Sequence, residues 1–196
     1  TTLAESRTMP VDVVWFKKDL RTRDHAPLLS ASLSGSPVIC LFILEPERLE
    51  LDDIDPIHVQ WELDCATDLS VALKALGADL HFAVGDAVSV MEDFDKRYGI
   101  GRLLSHEETG NSWSFQRDKR VLSWCRNKGI EWAEYPHNGV VRRLGTRDEW
   151  KRRRDKRMKE PLSDAPFFSE GIQFGGEIPQ LEDLGFYPRK LAMRPV

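Results

Sequence analysis

Short apolar segments alternate with helical segments between residues 11 and 135. The segments short and apolar enough to be strands are Val11–Phe16, Val38–Leu44, Leu80–Val84, 102–105 and 130–135. The first two are almost wholly apolar, which is typical of parallel strands covered on both faces. The pattern predicts an α/β fold: a doubly wound, Rossmann-like, five-stranded parallel sheet with helices on both faces and strand order 3-2-1-4-5. In that order the first and fourth strands meet where open sheets hold their ligands.

The intervening segments carry helix signals. Asp24 is expected to cap a helix that starts near Ala26, and Asp86 is expected to cap a later one. The longest predicted helix covers residues 56–77 and ends at a glycine. Its apolar residues recur at spacings of three and four, which predicts one buried stripe: Trp61, Cys65, Leu69, Ala72, Leu73 and Leu76.

Composition excludes several classes of protein. The net charge of -4 gives the chain no general attraction to nucleic acid or anionic lipid. The three cysteines are odd in number and widely spaced, so we expect buried thiols in a reducing compartment and no metal site. Apolar runs fall well short of the roughly 20 residues of a membrane helix, and a signal-peptide core is lacking. We therefore expect a cytoplasmic protein without a membrane partner.

The sequence also lacks the common catalytic motifs. Neither a phosphate-binding Gly-x-x-x-x-Gly-Lys-Ser/Thr loop nor a Gly-x-Gly-x-x-Gly turn follows the first strand. A Gly-x-Ser-x-Gly nucleophile elbow is also missing. We therefore expect no catalytic residue in this chain.

The character of the sequence changes after the fifth predicted strand. Residues 142–159 hold ten basic and three acidic side chains, so the remainder carries -11. Such a run is usually a solvated or interdomain surface, although clustered cations also bind the phosphates of nucleic acids. Residues 161–196 are rich in proline and glycine and are expected to form an interdomain linker, with Phe167, Phe168, Phe174 and Phe186 as anchors. The predicted domain therefore spans residues 10–160.

Charged side chains follow the first strand at the carboxyl edge of the predicted sheet. This loop has the charge density to hold an anionic or polar heteroaromatic ligand, and its charged residues are Lys17, Lys18, Asp19, Arg21, Arg23 and Asp24. Loops at strand ends often carry function. The alternative is an internal salt-bridge cluster that only shapes the turn.

A second polar loop, His106-Glu107-Glu108-Thr109-Gly110-Asn111, follows the fourth strand at the same edge. Its carboxylates are suited to accept hydrogen bonds from the donor edge of a heteroaromatic ring. The alternative is a solvated loop and helix cap. Arg117-Asp118 in the next helix is expected to form an ion pair.

Residues 15–27 resemble the opening segment of the DNA photolyase/cryptochrome family, Trp-Phe-Arg-x-Asp-Leu-Arg followed by Asp-Asn. Lys17 replaces the usual arginine and His25 the usual asparagine. The resemblance extends over residues 10–160. It implies the N-terminal domain that binds an antenna chromophore: methenyltetrahydrofolate, a deazaflavin or a flavin. The candidate cofactor-binding residues are Phe16, Lys17, Lys18, Asp19, Arg21, Glu45, His106, Glu107 and Glu108.

The resemblance also implies what lies elsewhere. In the family a helical C-terminal domain, absent from this chain, binds FAD and contacts DNA. The chain would then belong to a deoxyribodipyrimidine photolyase that repairs pyrimidine dimers with blue light, and would be inactive alone. Two alternatives stay open: the same domain of a signalling cryptochrome, and a free-standing nucleotide-binding regulatory module.

Overall fold

The computed structural model describes residues 9–137, 139–142, 144–169, 178–180 and 182–185. Its strands form one parallel sheet of order β3-β2-β1-β4-β5, which confirms the predicted topology. The strands are β1 (Val11–Phe16), β2 (Val38–Leu44), β3 (Leu80–Val84), β4 (Ile100–His106) and β5 (Glu131–Tyr135). Because the strand order reverses between β1 and β4, their carboxyl ends border the crevice at which this fold binds ligands.

Helices cover both faces of the sheet. They are α1 (Ala26–Ser32), α2 (Pro46–Leu49), α3 (Pro56–Ala75), α4 (Ala87–Tyr98), α5 (Ser112–Lys128) and α6 (Asp148–Met158), and a 3₁₀ turn spans Glu182–Leu184. The short α2 was not expected from the sequence. No helix in the described part of the chain is long and apolar enough to cross a membrane.

Two apolar cores sandwich the sheet. Val13 and Trp15 of β1 pack with α4 and α5 on one face, whereas Val14 and Phe16 pack with α1 and α3 on the other. This alternation follows from the two-residue period of a strand, and it explains why β1 is apolar throughout. Both cores end near the loops that follow β1 and β4.

The predicted cap of α1 is wrong. His25, not Asp24, is the N-cap, and its Nδ1 accepts a hydrogen bond of 3.1 Å from the backbone N–H of Leu28. Asp24 lies one residue earlier in a left-handed conformation, with φ of 51°. The chain therefore turns sharply at Asp24, and this turn brings the imidazole of His25 under the first strand's loop.

The predicted stripe of α3 is also wrong in part. Its buried residues are Val59, Leu63, Ala66, Leu69 and Leu73. Trp61 is 70% exposed and Cys65 is half-buried. The predicted stripe and the observed one both have spacings of three and four residues. Packing against β2 and β3 selects the stripe that leaves Trp61 outside. The other two thiols, Cys40 and Cys125, are buried as expected, and burial raises the pKa of each to about 12.

Part of the predicted linker packs on the domain. The backbone N–H of Phe168 donates to the carbonyl of Leu76 at 2.8 Å, and the Phe168 side chain packs against the α1/α3 core. Phe167 is 79% exposed and is therefore not an anchor. Phe174 and Phe186 lie outside the described residues.

We expect Gly77→Ala to destabilise the domain by about 2–5 kcal/mol. Gly77 has φ of +85°, and an added Cβ would overlap the carbonyl oxygen of Phe168. A left-handed alanine costs roughly 1–2 kcal/mol, and overpacking adds about 1–3 kcal/mol. Gly35→Ala is the matched control, because Gly35 has φ of +74° with nothing within 4 Å of the added Cβ. If chemical denaturation gives the same loss in the free energy of unfolding for both variants, the contact with Phe168 contributes nothing to the effect at Gly77.

Candidate functional site

Asp19 organises the loop after β1. Its buried carboxylate accepts hydrogen bonds from the backbone N–H of Lys17 (2.8 Å), Nε2 of His25 (2.8 Å) and Nδ1 of His106 (2.6 Å). Burial raises the pKa of Asp19, but the bonds from His106 and His25 outweigh it and hold the pKa well below its usual value. The aspartate therefore stays ionised and ties the ends of β1 and β4 together.

Hydrogen bonding defines the tautomers of both histidines. Nδ1 of His25 accepts from Leu28, so its Nε2 carries the proton donated to Asp19. His106 donates from Nδ1, which leaves its Nε2 as an acceptor. Burial lowers the pKa of His106 and favours this neutral form.

The three side chains form a hydrogen-bond relay. They also satisfy a distance criterion for a metal cluster, with ligand atoms within 4.8 Å of one another. However, one oxygen of Asp19 lies at hydrogen-bond distance from both ring nitrogens, and both nitrogens of His25 are engaged in hydrogen bonds within the protein. Ligand atoms bound to one zinc at about 2.0–2.1 Å would lie farther from one another than the Asp19 oxygen lies from either ring nitrogen.

His137 extends the relay from the end of β5. Its ring stacks on that of His106, with centroids 4.9 Å apart and 28° between the planes. Arg21 donates from Nη1 to Nε2 of His137 at 2.9 Å, so Nδ1 of His137 is a donor. The sequence analysis missed His137. Its place two residues after a strand, at the same edge as His106, is the signal that would have found it.

A buried ion network lies on the other side of β1. Arg117 of α5 contacts Glu45 at 2.9 Å, Asp118 at 2.9 Å, and Glu108. Burial raises the pKa of Glu45, whereas for Glu108 the Arg117 charge outweighs burial and the pKa is lowered. The expected ion pair of Arg117 with Asp118 is confirmed, although Arg117 also bridges two further elements.

Lys17 belongs to the same network. Its Nζ lies 3.7 Å from Asp118, 4.8 Å from the ring centre of Trp15 and 5.7 Å from that of Trp132. Burial lowers its pKa, and within the described residues Nζ has no hydrogen-bond partner. The space lined by Phe16, Lys17, Lys18, Glu45, Glu108 and Arg117 measures about 20 Å³, which is room for about one water.

A much larger space, here called the α6 cleft, opens on the opposite side. It measures about 780 Å³ and is lined by Arg21, His106 and Glu107 at the sheet edge and by one side of α6. Pockets of about 300–1,000 Å³ hold small ligands and cofactors. The predicted site residues therefore fall into two groups. Arg21, His106 and Glu107 line the cleft, with Asp19 supporting His106. The small space is lined by the others, which are Phe16, Lys17, Lys18, Glu45 and Glu108. Glu107 and Glu108, which the sequence could not distinguish, thus lie in different surroundings.

Comparison with known proteins agrees with this architecture. Residues 12–148 match the family model described as DNA photolyase. The chain belongs to the DNA photolyase family. It is 36% identical over 127 residues to a deoxyribodipyrimidine photo-lyase of Agrobacterium fabrum, covering 63% of this chain and 25% of the relative. It is 28% identical over 144 residues to a (6-4)DNA photolyase of Oryza sativa, covering 65% and 26%. The chain thus spans about a quarter of the length of these photolyases.

Solved structures share the fold. A bacterial class III photolyase from Agrobacterium tumefaciens superposes with a TM-score of 0.74 and 21% identity, over 97% of this chain and 41% of that one. An archaeal photolyase from Sulfolobus tokodaii, solved with two FAD molecules and implicating a novel light-harvesting cofactor, has a TM-score of 0.68 and 18% identity. That match covers 92% of this chain and 43% of that one. The likeness shows that the chain shares its α/β fold with the matched part of these structures.

Proposed function

We propose that the chain is the antenna-binding domain of a deoxyribodipyrimidine photolyase, and that the α6 cleft holds the antenna. The observation that carries the proposal is a cleft of about 780 Å³ at the carboxyl ends of the central strands. Of the two spaces at this edge, only the cleft is large enough for methenyltetrahydrofolate, a deazaflavin or a flavin.

The polar groups of the cleft suit a flat heteroaromatic ring. Nε2 of His106 and the carboxylate of Glu107 accept hydrogen bonds, while Nδ1 of His137 donates one. Asp19 holds His106 in the required tautomer from below. A bound antenna supplies light absorption, and the protein sets its distance and orientation.

The remaining chemistry is assigned to the part of the photolyase outside this chain. About three quarters of the length of these relatives lies outside the matched part. We infer that FAD, contact with DNA and dimer repair belong there, so that the chain alone repairs nothing. A signalling cryptochrome is the second candidate, because the relatives include Cryptochrome-2 of Gallus gallus, 27% identical over 120 residues, which cover 61% of this chain and 20% of that relative.

Titration of the purified chain with each chromophore class tests the antenna proposal. We expect one class to bind with a shifted near-ultraviolet or blue band, and Glu107→Gln to weaken it about tenfold to hundredfold, the value of one charge-assisted hydrogen bond. Glu131→Gln is the matched control, because Glu131 is exposed at the opposite end of the sheet. Its affinity is expected to equal that of the wild type.

Two results would count against the proposal. If no chromophore class binds, the antenna assignment fails. If binding is unaffected by Glu107→Gln, the ligand lies outside the α6 cleft. A light-dependent repair assay of the full-length protein distinguishes the photolyase from the cryptochrome, since only the former removes dimers.

A further inference from the structure

One wall of the α6 cleft, formed by α6, carries three cations. Arg153, Lys156 and Arg157 line the cleft from α6. Their spacing of three and four residues places them on one face of the helix. Arg21 and Arg142 add two cations nearer the sheet, against three carboxylates in the lining, those of Asp24, Glu107 and Glu160.

Internal pairing leaves part of this charge unbalanced. Arg142 lies 3.0 Å from Glu134 and 4.0 Å from Glu107, so its charge is paired with carboxylates near the sheet. Among the residues that the structure describes, Arg153 pairs with Glu149 of its own helix alone, at 3.0 Å, and this exposed contact is worth little. Lys156 forms no ion pair among the residues that the structure describes.

Much of the remaining lining is apolar. Leu29, Val140, Val141, Met158 and Leu162 contribute to it. The cleft thus combines stacked imidazoles, apolar side chains and the cations of α6. A ligand that matches this lining has a flat, largely apolar ring system and a negatively charged tail.

We propose that Arg153, Lys156 and Arg157 form an anion subsite that holds the phosphate or carboxylate tail of the ligand. This inference rests on the proposed antenna function and specifies its ligand: a ring that bears an anionic tail, not a neutral one. The helix supports this assignment, because α6 buries none of its residues in the domain and presents these cations without contributing to the core.

Paired ligands that differ only in the tail provide the test. Riboflavin and flavin mononucleotide differ by a phosphate, and the monoglutamate and triglutamate forms of methenyltetrahydrofolate differ by carboxylates. Within the pair that the protein binds, we expect the more highly charged ligand to bind about tenfold more tightly than the other. This preference should shrink as the salt concentration is raised. The two pairs also distinguish a phosphate tail from a carboxylate tail.

Two double variants on the same helix locate the subsite. Arg153→Gln with Lys156→Gln should remove most of the preference, because Arg157 is then the one cation of the subsite that remains, and should leave riboflavin, which has no anionic tail, unaffected. Lys151→Gln with Arg152→Gln removes the same charge from exposed positions of α6 outside the cleft, and should change the preference less than twofold. Circular dichroism and dissociation constants by fluorescence titration are the readouts.

The other outcomes overturn the subsite. Equal affinity within both pairs overturns it while leaving the antenna domain intact. If both double variants lose the preference for the more highly charged ligand to the same extent, the cations act as a diffuse positive field, as on a nucleic-acid-binding surface. That result also overturns the subsite. If neither flavins nor folates bind, the subsite falls together with the proposed function.

Discussion

Arg117→Met is expected to destabilise the domain by about 3–5 kcal/mol, because it leaves the buried carboxylate of Glu45 without its counter-ion and removes the nearest counter-ion of Glu108. Glu45 and Arg117 are buried, and the side chain of Glu108, which also contacts the guanidinium, is 9% exposed. The loss measures the cost of stranded charges more than the strength of any single pair. Urea denaturation monitored by tryptophan fluorescence gives the free energy of unfolding.

Arg120→Met is the matched control for this change. Arg120 lies on the same helix and pairs with Asp86 at 3.2 Å, but its side chain is 45% exposed. Exposed pairs contribute about 0–1 kcal/mol. Adding Glu45→Gln and Glu108→Gln to Arg117→Met should recover part of the loss, since the stranded charges are then gone. A loss below about 1 kcal/mol for Arg117→Met alone would show that water reaches the network.

Asp19→Ala should cost about 3–5 kcal/mol and should also weaken chromophore binding. Removal of the carboxylate leaves three buried donors unsatisfied, on Lys17, His25 and His106, at roughly 1–3 kcal/mol each and less than additively. His106 then loses the partner that holds its tautomer. Denaturation and ligand titration of the same variant measure the two effects.

The pH dependence of this loss identifies its origin. The folded pKa of Asp19 lies well below the unfolded value near 3.9. Its contribution is therefore fully present above pH 4 and is lost as pH falls towards the folded pKa. The difference between wild type and Asp19→Ala should narrow below pH 4. Asp164→Ala, at a 92% exposed side chain paired with Arg23, should stay within about 0.5 kcal/mol at every pH. A pH-independent gap would point to packing instead of charge.

Local patterns account for the parts of the fold that were predicted. The apolar runs of β1 and β2 need cover on both faces, and right-handed crossovers then leave few strand orders. Predictions that depended on one helix register or one cap were less secure. Trp61 and Asp24 satisfy the local rules for a buried stripe and an N-cap, yet packing against the sheet selects other residues.

The site illustrates the same division. Its position at the edge where β1 and β4 end follows from topology, which the sequence pattern predicts. Topology does not determine which polar residue faces the cleft, because Glu107 and Glu108 are neighbours with identical chemistry. Their difference depends on Arg117, nine residues farther along, which draws Glu108 inward.

The amino-acid sequence by itself thus determined the α/β class, the strand order and the edge that carries the polar loops, since these depend on periodicity and handedness within short segments. Only the tertiary structure decided that Lys17, Glu45 and Glu108 are enclosed with Arg117 in a space of about 20 Å³, while Arg21, His106 and Glu107 face a cleft of about 780 Å³. The physical reason is that burial and charge pairing join residues far apart in the chain, and no local pattern records which partner each charge will meet.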